Sequence, residues 1–281
     1  MAECYIRLGD VAKRRGAYDE ALAWYHKALV IAEELGSRSK MAMLYGQMGM
    51  VAWRSGAYDE ALACYHKAFV IFKELGDRKD MALYYFVLGN VSYSRSAYDE
   101  ALAYYRKALA MFEELEIRNG IAGSYHQLGM VAEDGGTYEE ALAWYHKALA
   151  IWEELGDRSG MACSYSQIGI LLTKQGKPEQ AVPFNLKSLA IRQELGLPQI
   201  RLDLQWLAGH DHRLGHKRRS LDGVELAKRN PGSSAGRNGD HGRLARQRES
   251  LGEERFMGIL REQLDEEPVR RILQLLEEST S

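Results

Sequence analysis

The chain has 281 residues, a net charge of -2 and 46% hydrophobic residues, a composition typical of an ordinary folded protein. It has no apolar run near the roughly 20 residues of a membrane-spanning helix, and the N-terminal MAECYIRLGD lacks the apolar core of a signal peptide. The three cysteines are far apart and form no CxxC pair, as is typical of a reducing compartment. We therefore expect a cytoplasmic protein.

Three sequence blocks recur at an offset of 40 residues. The first block reads YIRLGDVA at 5–12 and recurs at 45–52, 85–92, 125–132 and 165–172. The second reads YDEALAWYHKAL at 18–29 and recurs at 58–69, 98–109 and 138–149. The third reads EELGSR at 33–38 and recurs at 73–78, 113–118 and 153–158, and a looser copy of the whole unit spans 177–196. Such internal repetition predicts an array of stacked structural units.

The first block predicts an amphipathic helix, because its apolar residues lie three or four positions apart. A glycine follows this helix in four of the units, at Gly16, Gly56, Gly136 and Gly176, and Ser96 takes its place in the third. Glycine adopts the left-handed conformation without strain, so we expect it to cap the end of each helix.

The second block predicts another helix that packs on the first. Asp19 and Glu20 lie in its first turn, where the helix dipole favours acidic groups. Ala21, Tyr25 and Ala28 lie on one face of the helix, and the small alanines allow the two helices to approach closely. Each unit is then a helical hairpin that cannot bury its own apolar face, so the hairpins must stack.

This pattern resembles the tetratricopeptide repeat (TPR) family, although the family's usual period is 34 residues. The residues that carry the resemblance in the first unit are Leu8, Gly9, Ala12, Gly16, Tyr18, Ala21, Tyr25 and Ala28. The resemblance implies an all-α protein, a right-handed α-solenoid whose concave face binds peptides or partner proteins. Its five units would occupy about 1–36, 37–76, 77–116, 117–156 and 157–197.

The run Trp24–Lys27 is the densest group of reactive side chains in the repeat, and His recurs as His66 and His146. Equivalent atoms of neighbouring units lie on the order of 10 Å apart, too far for a shared metal with ligands at about 2 Å. We expect these histidines and the following lysines to be exposed on the convex face. Trp24 alternates with Cys64 in the next unit, which favours packing over a ligand cage.

No motif for catalysis or cofactor binding accompanies the repeats. The sequence contains no phosphate-binding loop, HExxH pair or CxxC pair, and the glycine-rich GSSAGRNGD at 232–240 lacks the GK[ST] ending. We therefore expect a protein that is not an enzyme and that uses no cofactor, metal ion or small-molecule substrate.

Function is expected where the copies differ, on one stripe of each first helix. The candidate partner-binding residues are Arg14, Met43, Met50, Trp53, Arg54, Leu83, Phe86, Asn90, Tyr93, His126 and Met130. The apolar middle suits a flexible choice of partner, with Arg14 and Arg54 at one end and Glu133 and Asp134 at the other. The alternative is that neighbouring helices, or a C-terminal helix, cover these residues.

The C-terminal third loses the repeat. Residues 198–230 suggest a degenerate sixth hairpin or capping helices, 231–249 a flexible linker, and 250–281 a helical hairpin that begins with a capping box at Ser250. The segment 201–250 holds 11 basic and 6 acidic residues. This basic stretch, mainly 210–250, could touch nucleic acid, but the net charge of -2 argues against a dedicated nucleic-acid binder.

The sequence thus leaves three functions to weigh. The first is a non-catalytic adaptor that binds a protein or peptide in the concave groove. The second is a peptide-responsive regulatory sensor whose C-terminal helices occupy the groove until a peptide displaces them, and the third is a nucleic-acid-associated regulator. Met1 lies only four residues before Tyr5, so the first helix is short, and both a longer array and oligomerisation stay open.

Overall fold

The computed structural model describes residues 1–195 together with Glu254 and Gly258. Within this part of the chain there are ten α-helices and no strand. The helices are α1 (Ala2–Arg14), α2 (Tyr18–Glu34), α3 (Arg38–Ser55), α4 (Tyr58–Leu75), α5 (Arg78–Ser94), α6 (Tyr98–Glu114), α7 (Arg118–Asp134), α8 (Tyr138–Leu155), α9 (Arg158–Lys174) and α10 (Pro178–Glu194). The predicted all-α class is confirmed. Apart from Glu254 and Gly258, the predicted segments 198–230, 231–249 and 250–281 lie outside the described residues.

The described chain divides into two compact units. The first comprises Met1–Val131 and holds α1 to α6 and most of α7, and the second begins at Ala132. In the first unit α1 pairs with α2, α3 with α4 and α5 with α6, and the hairpins stack through α2 on α3 and α4 on α5. In the second unit α9 packs on both α8 and α10. Helical hairpins are therefore the building block of each unit.

A tyrosine of the second helix lies against a glycine of the first in every hairpin of the first unit. Tyr25 is fully buried, and a Cβ atom built on Gly9 would lie 2.5 Å from Cε1 of its ring. The Cβ of Gly89 would likewise lie 2.5 Å from the ring of Tyr105. Only a residue without a side chain fits here, so the Leu-Gly pair of the repeat sets the distance between the two helices.

The predicted left-handed caps are confirmed. Gly16, Gly56, Gly136 and Gly176 have φ of 76°, 84°, 75° and 72°, and the following residue donates its N–H back into the helix, as Ala17 does to the carbonyl of Ala12 at 3.0 Å. Ser96 takes the same conformation with φ of 62°, which is strained for a residue with a Cβ. The fold therefore imposes the turn even where the sequence lacks glycine.

In three hairpins, those of α3, α5 and α9, an arginine at the start of the first helix pairs with a glutamate at the end of the second. Arg78 donates to Glu114 through two hydrogen bonds of 2.5 Å, and Arg38 donates to Glu74 through one. A cation at a helix N-terminus and an anion at a C-terminus both oppose the helix dipole. The antiparallel hairpin brings the two together, which offsets that cost, although such exposed pairs contribute little individually.

Replacing Ser96 by glycine is expected to stabilise the protein by about 1 kcal/mol, because the left-handed conformation then carries no Cβ strain. Gly56→Ser, at the equivalent turn, should lower the free energy of unfolding by a similar amount. The measurement is the urea midpoint of unfolding, followed by circular dichroism. A Ser96→Gly variant that unfolds at a lower urea concentration than the wild type would contradict this explanation.

Candidate functional site

All eleven candidate residues lie on α1, α3, α5 and α7, within the first unit. We name this set the first-helix surface: Arg14, Met43, Met50, Trp53, Arg54, Leu83, Phe86, Asn90, Tyr93, His126 and Met130. Met43 and Leu83 have exposed fractions of 40% and 46%, and Arg14 and Arg54 are also exposed. The other seven are half-buried. The surface therefore combines accessible side chains with others that also contact their neighbours.

Asn90 is the polar centre of the first-helix surface. Its Oδ1 accepts a hydrogen bond from the hydroxyl of Tyr105 at 2.9 Å and another from Nε2 of Gln127 at 3.0 Å. Tyr105 belongs to the second helix of the same hairpin, whereas Gln127 belongs to the first helix of the next. Two donors on one oxygen fix the orientation of the amide, so its Nδ2 points away from both of them.

Trp53 ties α3 to α5 on the same surface. Its indole Nε1 donates to Oγ of Ser94 at 3.0 Å, and Ser94 donates in turn to the backbone carbonyl of Asn90 at 2.9 Å. The indole ring stays half-buried. The hydrogen bond from the indole edge of Trp53 therefore fixes the position of α5 relative to α3.

Phe86 packs against the aromatic rings of α6. Its ring centroid lies 5.8 Å from that of Tyr105 and 6.4 Å from that of Phe112. The ring centroids of Tyr93 and Tyr98 lie 5.6 Å apart, also across the hairpin. The alternative of coverage by neighbouring helices therefore holds in part for Phe86 and Tyr93.

The first hairpin has its own polar cluster around Asp10. Its Oδ1 accepts from the hydroxyl of Tyr25 at 2.7 Å and from Nζ of Lys13 at 3.0 Å, and Lys13 also donates to Oε1 of Gln47 at 2.6 Å. Burial by itself would raise the pKa of Asp10, but the hydrogen bonds from Tyr25 and Lys13 and the charges of Lys13 and Arg14 outweigh it and lower that pKa. Lys13 therefore holds α1 against α3.

The second unit repeats the arrangement with other residues. Glu133 accepts from the hydroxyl of Tyr145 at 2.9 Å and from Nζ of Lys174 at 2.7 Å. Glu133, which we expected to form an acidic end of the groove, is thus bound within the second unit. Asp134 is exposed in the same unit.

Our list of candidates omitted the partners that hold these side chains in place. Gln47 and Gln127 lie at equivalent positions directly before a buried residue and glycine, and Ser94 lies one turn after Asn90. The signal available in the sequence was the recurrence of glutamine at 47, 127 and 167. It could have identified a contact position between hairpins.

The opposite face of the hairpins carries the recurring histidines and lysines. His26, His66 and His146 are exposed as predicted, yet His66 Nε2 lies 3.3 Å from the hydroxyl of Tyr104 in the next hairpin. Trp24 is half-buried and stacks on Tyr5 with centroids 5.6 Å apart, which agrees with its predicted packing role.

The lysines of this face lie over aromatic rings. Lys27 Nζ lies 4.3 Å from the Trp24 ring centroid, and Lys147 Nζ lies at the same distance from Trp144. Lys67 Nζ lies 5.3 Å from Tyr45. Cation–π contacts of this kind stabilise exposed sites by about 0.5–1 kcal/mol, so these lysines contribute to the stability of the hairpins as well as facing water.

Over the described residues, no group of three or more potential ligands could hold a metal ion.

His126 differs from the exposed histidines. Although the residue as a whole is partly accessible, its Nδ1 is buried. Burial lowers the pKa of His126 to about 4. The ring is therefore neutral at physiological pH, and the first-helix surface carries no positive charge at this position.

The buried histidine predicts a loss of stability in acid. In the unfolded chain its pKa is about 6.5, so the unfolded state binds the proton first as the pH falls from about 6.5 to about 4. The free energy of unfolding should then decrease by up to about 3 kcal/mol more in the wild type than in His126→Phe, which carries the residue found at Phe86. Urea unfolding of each protein is measured at pH 7.5 and at pH 4.5, and the decrease in stability between the two pH values is compared between wild type and His126→Phe. Parallel decreases in both proteins would contradict a buried neutral ring.

Two family models match the described chain, and both are described as tetratricopeptide repeat. One matches residues 2–35, and the other matches residues 40–114 and 120–194. No curated protein has a significant match to the sequence. Within the described residues no helix has both the length and the apolar character needed to cross a membrane.

Solved structures show the same fold at low sequence identity. BtubC (BKLC) from P. vanneervenii aligns with a TM-score of 0.60 and 22% identity, over 68% of this chain and 79% of that chain. Aspartyl phosphate phosphatase F from Bacillus subtilis aligns with a TM-score of 0.67 and 15% identity, over 98% of this chain and 69% of that chain. The Rap conjugation gene regulator of the plasmid pLS20, in complex with the Phr* peptide, aligns with a TM-score of 0.61 and 19% identity, over 98% of this chain and 73% of that chain.

The family models together cover more than half of the chain, and their matches coincide with the helical hairpins, the Leu-Gly pairs and the buried tyrosines described above. The chain is therefore a member of the tetratricopeptide repeat family.

Proposed function

We propose that this protein is a non-catalytic scaffold that binds a peptide segment of a partner protein on the first-helix surface. The observation that carries the proposal is the pairing of exposed apolar side chains with an amide of fixed orientation. Met43 and Leu83 have exposed fractions of 40% and 46%, and Asn90 lies on the same helix as Leu83. The proposed setting is the cytoplasm.

The apolar side chains supply the binding energy in this proposal. Met43 and Met50 have flexible side chains that adapt to different partners. Half-buried Trp53 is an aromatic anchor whose ring is already held by Ser94, so little conformational entropy is lost when a ligand packs on it. Phe86 contributes mainly by supporting the surface from below, since it contacts the rings of α6.

The polar side chains orient the ligand. Among the described residues the Nδ2 group of Asn90 makes no hydrogen bond, because both contacts of this amide use its oxygen. It can donate to a backbone carbonyl of an extended or helical segment. Arg14 and Arg54 are exposed, so an acidic residue of the ligand would find a partner near them.

A second candidate is a peptide-responsive regulatory sensor. A solved structure with the same fold, the Rap conjugation gene regulator, is described in complex with the Phr* peptide, which supports a peptide as the ligand in this candidate. In this candidate the predicted helices of 250–281 occupy the first-helix surface until a peptide displaces them. One similar structure is a phosphatase by name, but at 15% identity that likeness concerns the fold.

Glutamate at Met43 or Leu83 should weaken peptide binding by at least about tenfold, since a charge then has to be buried against an apolar ligand. The probe is a random 12-residue peptide library panned on the immobilised full chain, with enriched peptides titrated by fluorescence anisotropy. Val30→Glu is the matched control, because Val30 is at least as exposed, at 53%, but lies on α2. Equal affinities for wild type, Met43→Glu and Leu83→Glu would contradict binding at this surface.

Deletion of residues 231–281 separates the two candidates. A sensor blocked by its own C-terminal helices should bind an enriched peptide at least about tenfold more tightly after the deletion, because no internal competitor remains. A scaffold with an open surface should bind it unchanged. Circular dichroism of the shortened chain checks that the hairpins are still folded.

A further inference from the structure

The face of the hairpins opposite the first-helix surface carries charges in a regular order. Each second helix of the first unit has a lysine in its middle, with one glutamate seven residues before it and another seven residues after it. Residues seven apart lie on the same side of a helix, about 10 Å from each other along its axis. The three sets are Glu20, Lys27 and Glu34; Glu60, Lys67 and Glu74; and Glu100, Lys107 and Glu114.

The lysines form a row across the hairpins, between two rows of glutamate. His66 Nε2 of α4 lies 3.3 Å from the hydroxyl of Tyr104 on α6, so the second helices of these neighbouring hairpins are adjacent. Packed helices lie about 8–10 Å apart, which places consecutive lysines on the order of 10 Å apart. Arg106 adds a cation beside Lys107, and all of these cations are exposed. We name this set the cation band: Lys27, Lys67, Arg106 and Lys107.

Aromatic rings hold the lysines of the cation band in place. Each Nζ lies over a ring centroid, at 4.3 Å for Lys27 on Trp24, 5.3 Å for Lys67 on Tyr45 and 5.6 Å for Lys107 on Tyr85. A ring orients an ammonium group but leaves its positive charge in place. The arginines at the start of α3 and α5 are instead neutralised by glutamates. The band therefore presents ordered positive charge to another molecule.

The charges around the band do not suit a nucleic-acid duplex. A duplex carries one negative charge per about 1.7 Å of its axis, which is about twelve along the roughly 20 Å from Lys27 to Lys107. The band offers four cations to these phosphates, and glutamates flank it on both sides. Three of those glutamates are paired with arginines, so the repulsion comes from the other three, Glu20, Glu34 and Glu60.

The aromatic rings of this face do not suit single-stranded nucleic acid. Such strands bind by stacking their bases on the faces of aromatic side chains. Trp24, Tyr45 and Tyr85 are half-buried, and lysines cover them. The side chains that are exposed beside the band are small and apolar, such as Ala23, Val30 and Val70. A narrow acidic protein segment fits this strip better than either form of nucleic acid.

We propose that the cation band binds an acidic segment of a partner protein in the polyproline II conformation, with a carboxylate at every third residue. Polyproline II has three residues per turn and a rise of about 3.1 Å per residue, so every third side chain faces the same way, about 9 Å apart. This spacing matches that of the lysines. The proposal does not depend on the function proposed for the first-helix surface.

The same spacing favours polyproline II over an α-helix. A helix presents side chains about 10 Å apart on one face only at every seventh residue. Contacts with three lysines then span about fifteen residues of helix, but only about seven of polyproline II. The prolines or other apolar residues between the acids would lie against Val30 and Val70, which have exposed fractions of 53% and 50%.

Two labelled peptides of equal composition test the spacing by fluorescence anisotropy with the full chain. The spaced probe is four repeats of Glu-Pro-Pro, and the contiguous probe has its four glutamates together. At about 0.1 M salt the Debye length is about 10 Å, so mainly neighbouring charges act. The spaced probe should bind at least about fivefold more tightly, because its carboxylates reach separate lysines. Equal affinities, or no binding of the spaced probe, overturn the proposal.

Matched substitutions locate the site. The test variant neutralises the lysines of the band and should bind the spaced probe at least about tenfold more weakly: Lys27→Gln/Lys67→Gln/Lys107→Gln. The control removes the same charge from other exposed lysines of the first unit and should change the affinity by less than about twofold: Lys40→Gln/Lys73→Gln/Lys79→Gln. Equal losses in both variants overturn the proposal. Circular dichroism separates loss of binding from loss of folding.

Two further measurements distinguish other occupants of the band. A single-stranded oligothymidine that binds more tightly than the spaced probe would identify a nucleic-acid site and overturn the proposal. The chain has its own acidic run before Pro268, and Asp265→Asn/Glu266→Gln/Glu267→Gln in the full chain should leave the affinity for the spaced probe unchanged. Tighter binding in this variant would show that the chain's own segment occupies the band, which overturns a partner protein as the occupant.

Discussion

The contact of a tyrosine ring with a glycine determines how closely the two helices of a hairpin approach. Gly9 and Tyr25, Gly49 and Tyr65, and Gly89 and Tyr105 form this contact in the first unit. A methyl group in place of the glycine hydrogen would overlap the ring, and a smaller side chain in place of tyrosine would leave a cavity. Since these three hairpins solve the same packing problem with the same pair, they have nearly the same shape and can stack. In the hairpin of α9 and α10, Asn185 takes the place of the tyrosine against Gly169.

The same contact also reaches the first-helix surface. A tyrosine ring that lies on the glycine projects its hydroxyl to the next residue of the first helix, which is Asp10 in one hairpin and Asn90 in another. Burial raises the pKa of Tyr25 and of Tyr105, so both hydroxyls remain protonated donors at physiological pH. The packing core thereby orients a polar group on the surface that we propose for binding. Where the position holds methionine, as at Met50, this link is absent and the surface is apolar.

The repeated features were predictable from the sequence because each is local. Each of them follows from the sequence of one helix: the spacing of Ala21, Tyr25 and Ala28, the acids of the first turn, and the glycine caps. The same pattern recurs in four copies, so the four copies support the same prediction. The polar contacts between hairpins were not predictable in the same way, because they join positions that are not equivalent. Trp53 reaches Ser94, whereas Lys13 reaches Gln47. Such pairs change from copy to copy, so the recurrence of glutamine at 47, 127 and 167 marks a contact position without identifying its partner.

Burial within a repeat protein depends on the neighbours of a hairpin as much as on its residues. Leu8 and Leu88 occupy the same position in the same motif, yet one has an exposed fraction of 44% and the other of 0%. The difference arises because α4 covers α5, whereas no described helix covers α1 in this way. A motif therefore specifies which side chain a position holds, while the place of the hairpin in the stack decides whether that side chain contributes to the core or is left for another molecule. For the same reason Met43 and Leu83 stand out: the stack leaves their position exposed, so packing does not require an apolar residue there.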